Sequence, residues 1–189
     1  MRRSILAMAC LAAAASAEAK VFLTQEEALK LAFPGAAVER RTAFLTEAQR
    51  REARRLSGDA ELPAALATYY AATKEGAPVG TAYFDTHRVR TMPETIMVVV
   101  EPSGAVARIE VLSFQEPEEY LPRPRWYAQF SGKPLDDDLS MKRAIRPVTG
   151  ATLTARATTE AARRVLALHR VLHAPATATP RASPEGTPR

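Results

Sequence analysis

The chain has 189 residues, a formal net charge of +5 and a single cysteine. A basic balance suits nucleic acid or an anionic surface, but the arginine pairs are not interleaved with the aromatic residues on which a single-strand binder stacks bases. We therefore predict no nucleic-acid partner.

The first 19 residues have the three parts of a secretory signal peptide. Two arginines precede an apolar run over residues 5–15. This run is well short of the roughly 20 apolar residues that cross a bilayer. Small residues follow, and cleavage is expected after Ala17 or Ala19. We predict a signal peptide over residues 1–19 and a periplasmic or other extracytoplasmic location, with an uncleaved membrane anchor as the alternative.

Removal of this leader would also remove Cys10, the only cysteine. The mature chain would then form no disulfide, thiolate metal site, iron–sulfur cluster or c-type haem attachment. His169 and His173 stand four residues apart on a predicted helix, but no acidic residue falls at metal-ligand spacing. We predict no metal site, and we expect any redox chemistry to be that of an organic cofactor.

Residues 20–76 are predicted to form an N-terminal extension of helices and strands. Capping-box signatures at Thr24 and Thr46 begin two helices, which end at a Pro-Gly and a Ser-Gly pair. Strands are predicted over residues 37–45, 67–73 and 79–84, the last two as a hairpin.

Residues 77–173 are predicted to form the functional domain. The polar stretch over residues 85–95 is predicted to be a loop that lines a ligand. A hairpin follows, with strands over residues 95–100 and 105–114 and a Pro-Ser-Gly turn between them. A short aromatic helix over residues 126–130 ends at Gly132.

The last helix carries apolar residues at steps of three or four, which predicts one buried face: Leu153, Ala157, Ala161, Val165, Leu168 and Leu172. Residues 174–189 are rich in Ala, Thr and Pro, and we predict a disordered tail. Between the ends remain about 155 residues, the size of one ordinary domain. We predict a single α+β domain with an antiparallel sheet flanked by helices.

The turn before the last helix is the most informative motif. It reads Thr149-Gly150-Ala151-Thr152. At such a position the Thr152 hydroxyl and the first unpaired N–H groups of the helix project together, and the helix dipole favours an anion. The turn therefore suits a phosphate group. The alternative is an ordinary helix cap with a hydroxyl residue.

With the hairpin, the Glu116-Pro117 loop and the aromatic helix, this turn resembles the FMN-binding domain family over roughly residues 78–172. That family includes flavin subunits of the sodium-pumping NADH:quinone reductase and of the Rnf electron-transport complex. Its pattern is Asp-x-x-(Ser/Thr)-Gly-Ala-Thr, and a flavin transferase esterifies the final Thr with FMN. The resemblance implies an α+β fold, FMN as the cofactor, a flavin transferase as a partner and Thr152 as the acceptor.

The match is not complete, because Arg146 stands where the family has Asp. An arginine at that place could neutralise the flavin phosphate without a covalent link, so covalent and non-covalent attachment both stay open. Further cofactor contacts are predicted from residue type: Glu94, Thr95 and Glu116 as hydrogen-bonding groups, and Trp126 or Tyr120 for stacking. Ion pairing of the glutamates with arginines and core packing of Trp126 are the alternatives.

We predict an exported electron-transfer protein that passes electrons between membrane-bound and periplasmic redox proteins. No catalytic residue is predicted, since Thr152 would accept the cofactor, and an electron carrier is favoured over an enzyme with its own substrate. One alternative is a flavin-free accessory or binding domain of a membrane redox complex. Another is a small flavin reductase, for which the chain lacks the dinucleotide Gly-x-Gly-x-x-Gly fingerprint.

Overall fold

The computed structural model describes residues 20–58 and 65–174. These described residues form six strands: β1 (Lys20–Val21), β2 (Ala37–Phe44), β3 (Leu66–Lys74), β4 (Ala77–Arg88), β5 (Pro93–Val100) and β6 (Val106–Phe114). The α-helices are α1 (Gln25–Ala32), α2 (Glu47–Ser57), α3 (Pro124–Tyr127) and α4 (Thr152–His173), and short 3-10 turns cover Glu118–Tyr120 and Ala128–Phe130. The predicted leader with Cys10, and the tail from residue 175 onward, lie outside the described residues.

All six strands belong to one antiparallel sheet, in the order β1-β6-β5-β4-β3-β2. Each strand from β2 to β5 pairs with the next one in the chain, and β1 closes the edge beside β6. The predicted α+β class with an antiparallel sheet flanked by helices is confirmed. The strands of residues 20–76 pair within the same sheet as those of residues 77–173.

Two hydrophobic cores lie on opposite faces of this sheet, because successive side chains of a strand point to opposite sides. On β5, Ile96 and Val98 belong to the core that also contains residues of α3 and α4, whereas Met97 and Val99 pack with residues of α1. The helix α2 lies against α4, where Gln49 Nε2 donates to the carbonyl of Val171 at 3.1 Å. The turn over residues 149–152 leads directly into α4.

Both N-terminal helices begin as predicted. Thr24 and Thr46 accept hydrogen bonds from the backbone N–H three residues later, and the Glu27 and Gln49 side chains return the contact to the cap N–H groups. These reciprocal bonds satisfy two N–H groups that a helix end otherwise leaves unpaired.

The buried face of α4 differs from the predicted apolar stripe. Leu153 is 47% exposed, while Thr154, Thr158 and Thr159 are buried beside alanines of the same helix. The reason is that these threonine hydroxyls find acceptors: Thr159 Oγ1 donates to the carbonyl of Ala155 at 2.7 Å. A hydroxyl that is satisfied in this way costs little to bury. Polarity alone therefore gave the wrong face at the start of the helix.

The polar stretch over residues 85–95 was also predicted wrongly as a loop. β4 continues to Arg88 and β5 begins at Pro93, so that only residues 89–92 connect them. His87 pairs with Glu94 and Thr86 with Thr95 across the two strands. The polar side chains satisfy one another within the sheet, which is why polarity does not mark a loop here. No helix in the described parts of the chain has both the length and the apolar character needed to cross a membrane.

Candidate functional site

The turn before α4 leaves the start of this helix open. Gly150 adopts a left-handed conformation at φ +85°, which a residue with a side chain rarely takes. The carbonyl of Val148 accepts from the Ala151 N–H at 3.1 Å and from the Thr152 hydroxyl at 3.0 Å. Ala151, the N-cap residue, offers no side-chain acceptor to the first-turn N–H groups. Unpaired N–H groups at the positive end of a 22-residue helix favour an anion.

A cavity of about 860 Å³ lies beside this turn, and we call it the turn cavity. Thr149 and Ala151 line it on one side, and Trp126 lines it as well. Its charged lining residues are four cations and one acid: Arg123, Arg125, Lys133, Arg146 and Glu119. Excess positive charge next to an open helix N-terminus suits a phosphate group.

The position of Arg146 is fixed through its backbone. The Trp126 indole N–H donates to the Arg146 carbonyl at 2.7 Å, and the Arg146 N–H donates to Gln129 Oε1 at 2.9 Å. Trp126 itself is buried in the core with Tyr127 and Phe130. The core packing predicted for Trp126 is therefore observed, and the residue also forms part of the cavity wall, while its stacking on a cofactor stays a prediction.

The structure brings six of the predicted cofactor-binding residues together. Trp126, Arg146, Thr149 and Ala151 line the turn cavity, and Gly150 and Thr152 are adjacent to them in the chain. The side chain of Thr152 is exposed at the first residue of α4. Sequence reasoning missed the other cavity cations, Arg123, Arg125 and Lys133. The only signal for them was a cluster of basic residues around the aromatic helix.

Glu116 is not in the turn cavity. Its Oε1 accepts from the N–H groups of Thr91 and Met92, at 2.7 and 2.8 Å, and thereby holds the connection between β4 and β5. Burial alone would raise the pKa of the Glu116 carboxyl, but these N–H donors outweigh it and the pKa is lowered. The Glu116 carboxylate therefore stabilises this connection.

Glu94 and Thr95 lie on opposite faces of β5, and neither lines the turn cavity. Glu94 is fully buried on the α4 side, where Thr158 Oγ1 donates to its carboxylate at 3.3 Å. The Thr95 hydroxyl bonds to that of Thr86 at 3.0 Å. The structure therefore does not bring either residue to Thr152.

Glu94 belongs instead to a buried charge network with His87, Asp85 and Arg164. His87 Nε2 is 2.9 Å from Glu94 Oε2, its Nδ1 is 2.9 Å from Asp85 Oδ1, and Arg164 Nη2 donates to the same Asp85 oxygen at 3.0 Å. Burial opposes the charge on His87, but the two carboxylates outweigh it and raise its pKa to about 9. Burial likewise opposes the charge on Asp85, and the contacts with His87 and Arg164 outweigh it and lower the Asp85 pKa.

Comparison with protein families identifies the domain that contains the turn cavity. Residues 92–167 match the model of the FMN-binding domain, a stretch that runs from the start of β5 into α4 and includes the whole turn cavity. The chain carries an FMN-binding domain. FMN is its cofactor. A search of curated proteins found no match.

The turn cavity of the FMN-binding domain fits this cofactor. Its cations and the open N-terminus of α4 suit the FMN phosphate, and Leu121, Val148 and Trp126 provide apolar wall for the isoalloxazine rings. The family's Asp position is filled by Arg146, whose exposed side chain lies at the same cavity. A guanidinium is well shaped to contact a phosphate, so this departure strengthens the anion-binding character of the site.

Proposed function

We propose that this protein is an exported electron-transfer protein whose FMN is ester-linked through its phosphate to Thr152. The observation that carries the proposal is the position of Thr152: its exposed hydroxyl stands at the first residue of α4, next to the cationic turn cavity. A flavin transferase would attach the cofactor. The protein would then pass electrons between membrane-bound and periplasmic redox proteins.

Attachment requires the Thr152 hydroxyl to be accessible and oriented. Its Oγ1 is held by the donated bond to the Val148 carbonyl at 3.0 Å, with one side open to solvent. In the proposed transfer, Thr152 Oγ1 forms a bond to the FMN phosphorus of FAD, the anhydride P–O bond breaks and AMP leaves. The hydroxyl proton passes to the transferase or to solvent. Thr152 is thus the acceptor of the cofactor.

Arg146 would neutralise the phosphate in either mode of binding. Its backbone is held on both sides by Trp126 and Gln129. Its side chain lines the turn cavity and forms no ion pair within the described residues. A phosphodiester keeps one negative charge, and the cavity carries a net excess of cations to meet it. This arrangement supports retention of FMN even before an ester forms.

Electron transfer follows from what the cofactor supplies and from how the site is exposed. FMN, when bound, supplies one- and two-electron redox chemistry. Arg123, Arg125 and Arg146 are exposed around the turn cavity, so that a redox partner can approach its rim. The leader and the cysteine-free mature sequence support export, and a covalent link would keep FMN in a compartment where free FMN is scarce.

The test is the intact mass of protein exported by a host with or without the flavin transferase, measured after denaturation. In the host with the transferase, we expect the wild-type mass to increase by that of FMN less water and the mass of Thr152→Ala to stay unchanged. In the host without it, neither protein should gain mass. Thr149→Ala is the matched control, because it removes a neighbouring exposed hydroxyl of the same turn and should still be loaded. Arg146→Asp restores the family residue and should also be loaded.

Each other outcome is informative. Yellow colour that is released on denaturation, with no gain in mass, would contradict the ester and favour non-covalent FMN held by the cations. An equal gain in Thr152→Ala would place the ester on another residue. Protein with neither a mass gain nor colour would overturn the electron-carrier proposal and favour a flavin-free accessory domain. The mass of the exported chain also reports whether the leader is removed after Ala17 or Ala19.

A further inference from the structure

Two histidines at the far end of α4 lie outside the turn cavity. His169 and His173 lie one helical turn apart, with their rings stacked at 4.2 Å between centroids and 25° between planes. At 1.5 Å per residue they lie roughly 26–32 Å along the helix from Thr152. The stacked pair is therefore well separated from the turn cavity.

In each of the two rings, the nitrogen that makes the hydrogen bond is Nδ1. His173 Nδ1 is 2.9 Å from the carbonyl oxygen of His169, and His169 Nδ1 is 2.9 Å from the hydroxyl of Tyr83. A carbonyl oxygen only accepts, so Nδ1 of His173 carries the proton and its Nε2 presents a lone pair whenever the ring is neutral. Tyr83 can accept from Nδ1 of His169 in the same way, and this leaves the Nε2 lone pair of that ring available too.

His173 has the hydrogen-bond pattern of a metal-ligating histidine, and His169 has the same pattern in the tautomer that donates from Nδ1 to Tyr83. A histidine that binds a metal through one ring nitrogen donates its other N–H to a carbonyl or another acceptor, which fixes the tautomer and the ring orientation. Tyr69 adds to the support, since its ring stacks on Tyr83 at 5.8 Å and meets the edge of His173 at 5.7 Å.

We propose that His169 and His173 chelate a divalent transition-metal ion through their two Nε2 atoms. Imidazole pairs suit Cu²⁺, Ni²⁺ and Zn²⁺, and Cu²⁺ binds most tightly in this series. The described residues contain no group of three or more His, Cys, Asp and Glu side chains around a common point. The protein therefore supplies two ligands from these residues, and water or an external ligand fills the other positions. The two rings are stacked nearly parallel, so the exposed His173 ring turns out of the stack to bring both lone pairs to one ion, while the bond to Tyr83 holds the ring of His169.

The test is a titration of the full-length protein with Cu²⁺, followed by calorimetry and by electron paramagnetic resonance. We expect one equivalent to bind with nitrogen hyperfine structure from two imidazoles. His169→Gln and His173→Gln should each weaken binding about tenfold or more, to the level of the double variant, because a chelate needs both ligands. His87 is present in every variant, and both of its ring nitrogens are hydrogen-bonded to carboxylates. Any Cu²⁺ that still binds to the double variant therefore measures binding outside the His169–His173 pair, including at His87.

Folding of each variant is checked by circular dichroism, since His169 also bonds to Tyr83. His173→Gln is the safer variant, because the side chain of His173 is exposed. Cu²⁺ should also raise the melting temperature of the wild type and not that of the double variant, because the metal binds only the folded helix. Two weak independent equivalents, binding halved by each single substitution, or unchanged binding in the double variant would overturn the proposal. None of these readouts depends on FMN.

Discussion

At the scale of single residues, the face of the sheet on which a side chain lies decides what it can contact. Glu94 and Thr95 are neighbours in the sequence, but on a strand they face opposite sides of the sheet. Because this stretch was predicted to be a loop, both were placed at one site. The hydroxyl turn over residues 149–152 was easier, since a Gly with positive φ and a helix start leave few arrangements open.

Substitutions at Glu116 test whether its carboxylate stabilises the connection between β4 and β5 or binds the cofactor. Replacing Glu116 by Ala leaves the N–H groups of Thr91 and Met92 without their acceptor, so we expect a loss of about 1–3 kcal/mol in the free energy of unfolding. Glu116→Gln keeps an acceptor oxygen and should lose less. Chemical denaturation measures both values.

The FMN content of the folded variants is the control for this prediction. Glu116 does not line the turn cavity, so the ratio of FMN to protein should equal that of the wild type. A variant that keeps its stability but loses FMN would show that Glu116 contacts the cofactor, as the sequence alone had suggested.

At the scale of elements, sequence patterns located the strands and helices well and their limits less well. Capping boxes and hairpin turns are local signals, and the elements that they mark are present. The extension of β4 to Arg88 depends on partners on β5 and α4, which no local pattern contains. The same holds for the buried threonines of α4, whose burial is possible only because their acceptors are in place.

The buried charge network gives a pH dependence that belongs to β4, β5 and α4 together. His87 faces Asp85 and Glu94, Arg164 bonds to Asp85, and Tyr127 and Thr158 donate to Glu94. The pKa of His87 is raised from 6.5 to about 9 in the folded protein. Its contribution to stability is therefore complete below about pH 6.5 and is lost as the pH rises through about 9.

Nitrogen NMR of the imidazoles measures this directly. We expect His87 to keep both ring protons at pH 8, and we expect the free energy of unfolding to fall between about pH 6.5 and 9. Asp85 acts in the opposite direction: its lowered pKa gives stability that is present above its ordinary value and lost as the pH falls. A His87 ring that loses its proton near pH 6.5 would contradict a charged network.

At the scale of the whole molecule, the FMN-binding match covers only part of the folded unit. It spans β5, β6, α3 and most of α4, whereas β1 to β4 and the first two helices precede it. Those preceding elements complete the sheet and contribute Ala28, Phe33, Ala72 and Ala82 to the core on the α1 side. The Phe33 ring lies so close to β4 that a Cβ atom on Gly80 would be 3.0 Å from its Cε1. The boundary predicted at residue 76 therefore falls between two strands that pair with each other.

This continuity predicts that residues 77–174 do not fold cooperatively without residues 20–76. Removing the first part would uncover the free edge of β4 and expose Met97, Val99 and Leu112, which pack with Ala28 and Phe33 of the α1 side. Each large side chain exposed in this way costs about 1.5–3 kcal/mol, and the sum is comparable to the whole stability of a domain. Urea unfolding and amide NMR dispersion of the fragment, compared with residues 20–174, measure the effect. A fragment with a native-like spectrum and a single sharp transition would instead identify residues 20–76 as an extension that the FMN-binding domain does not need.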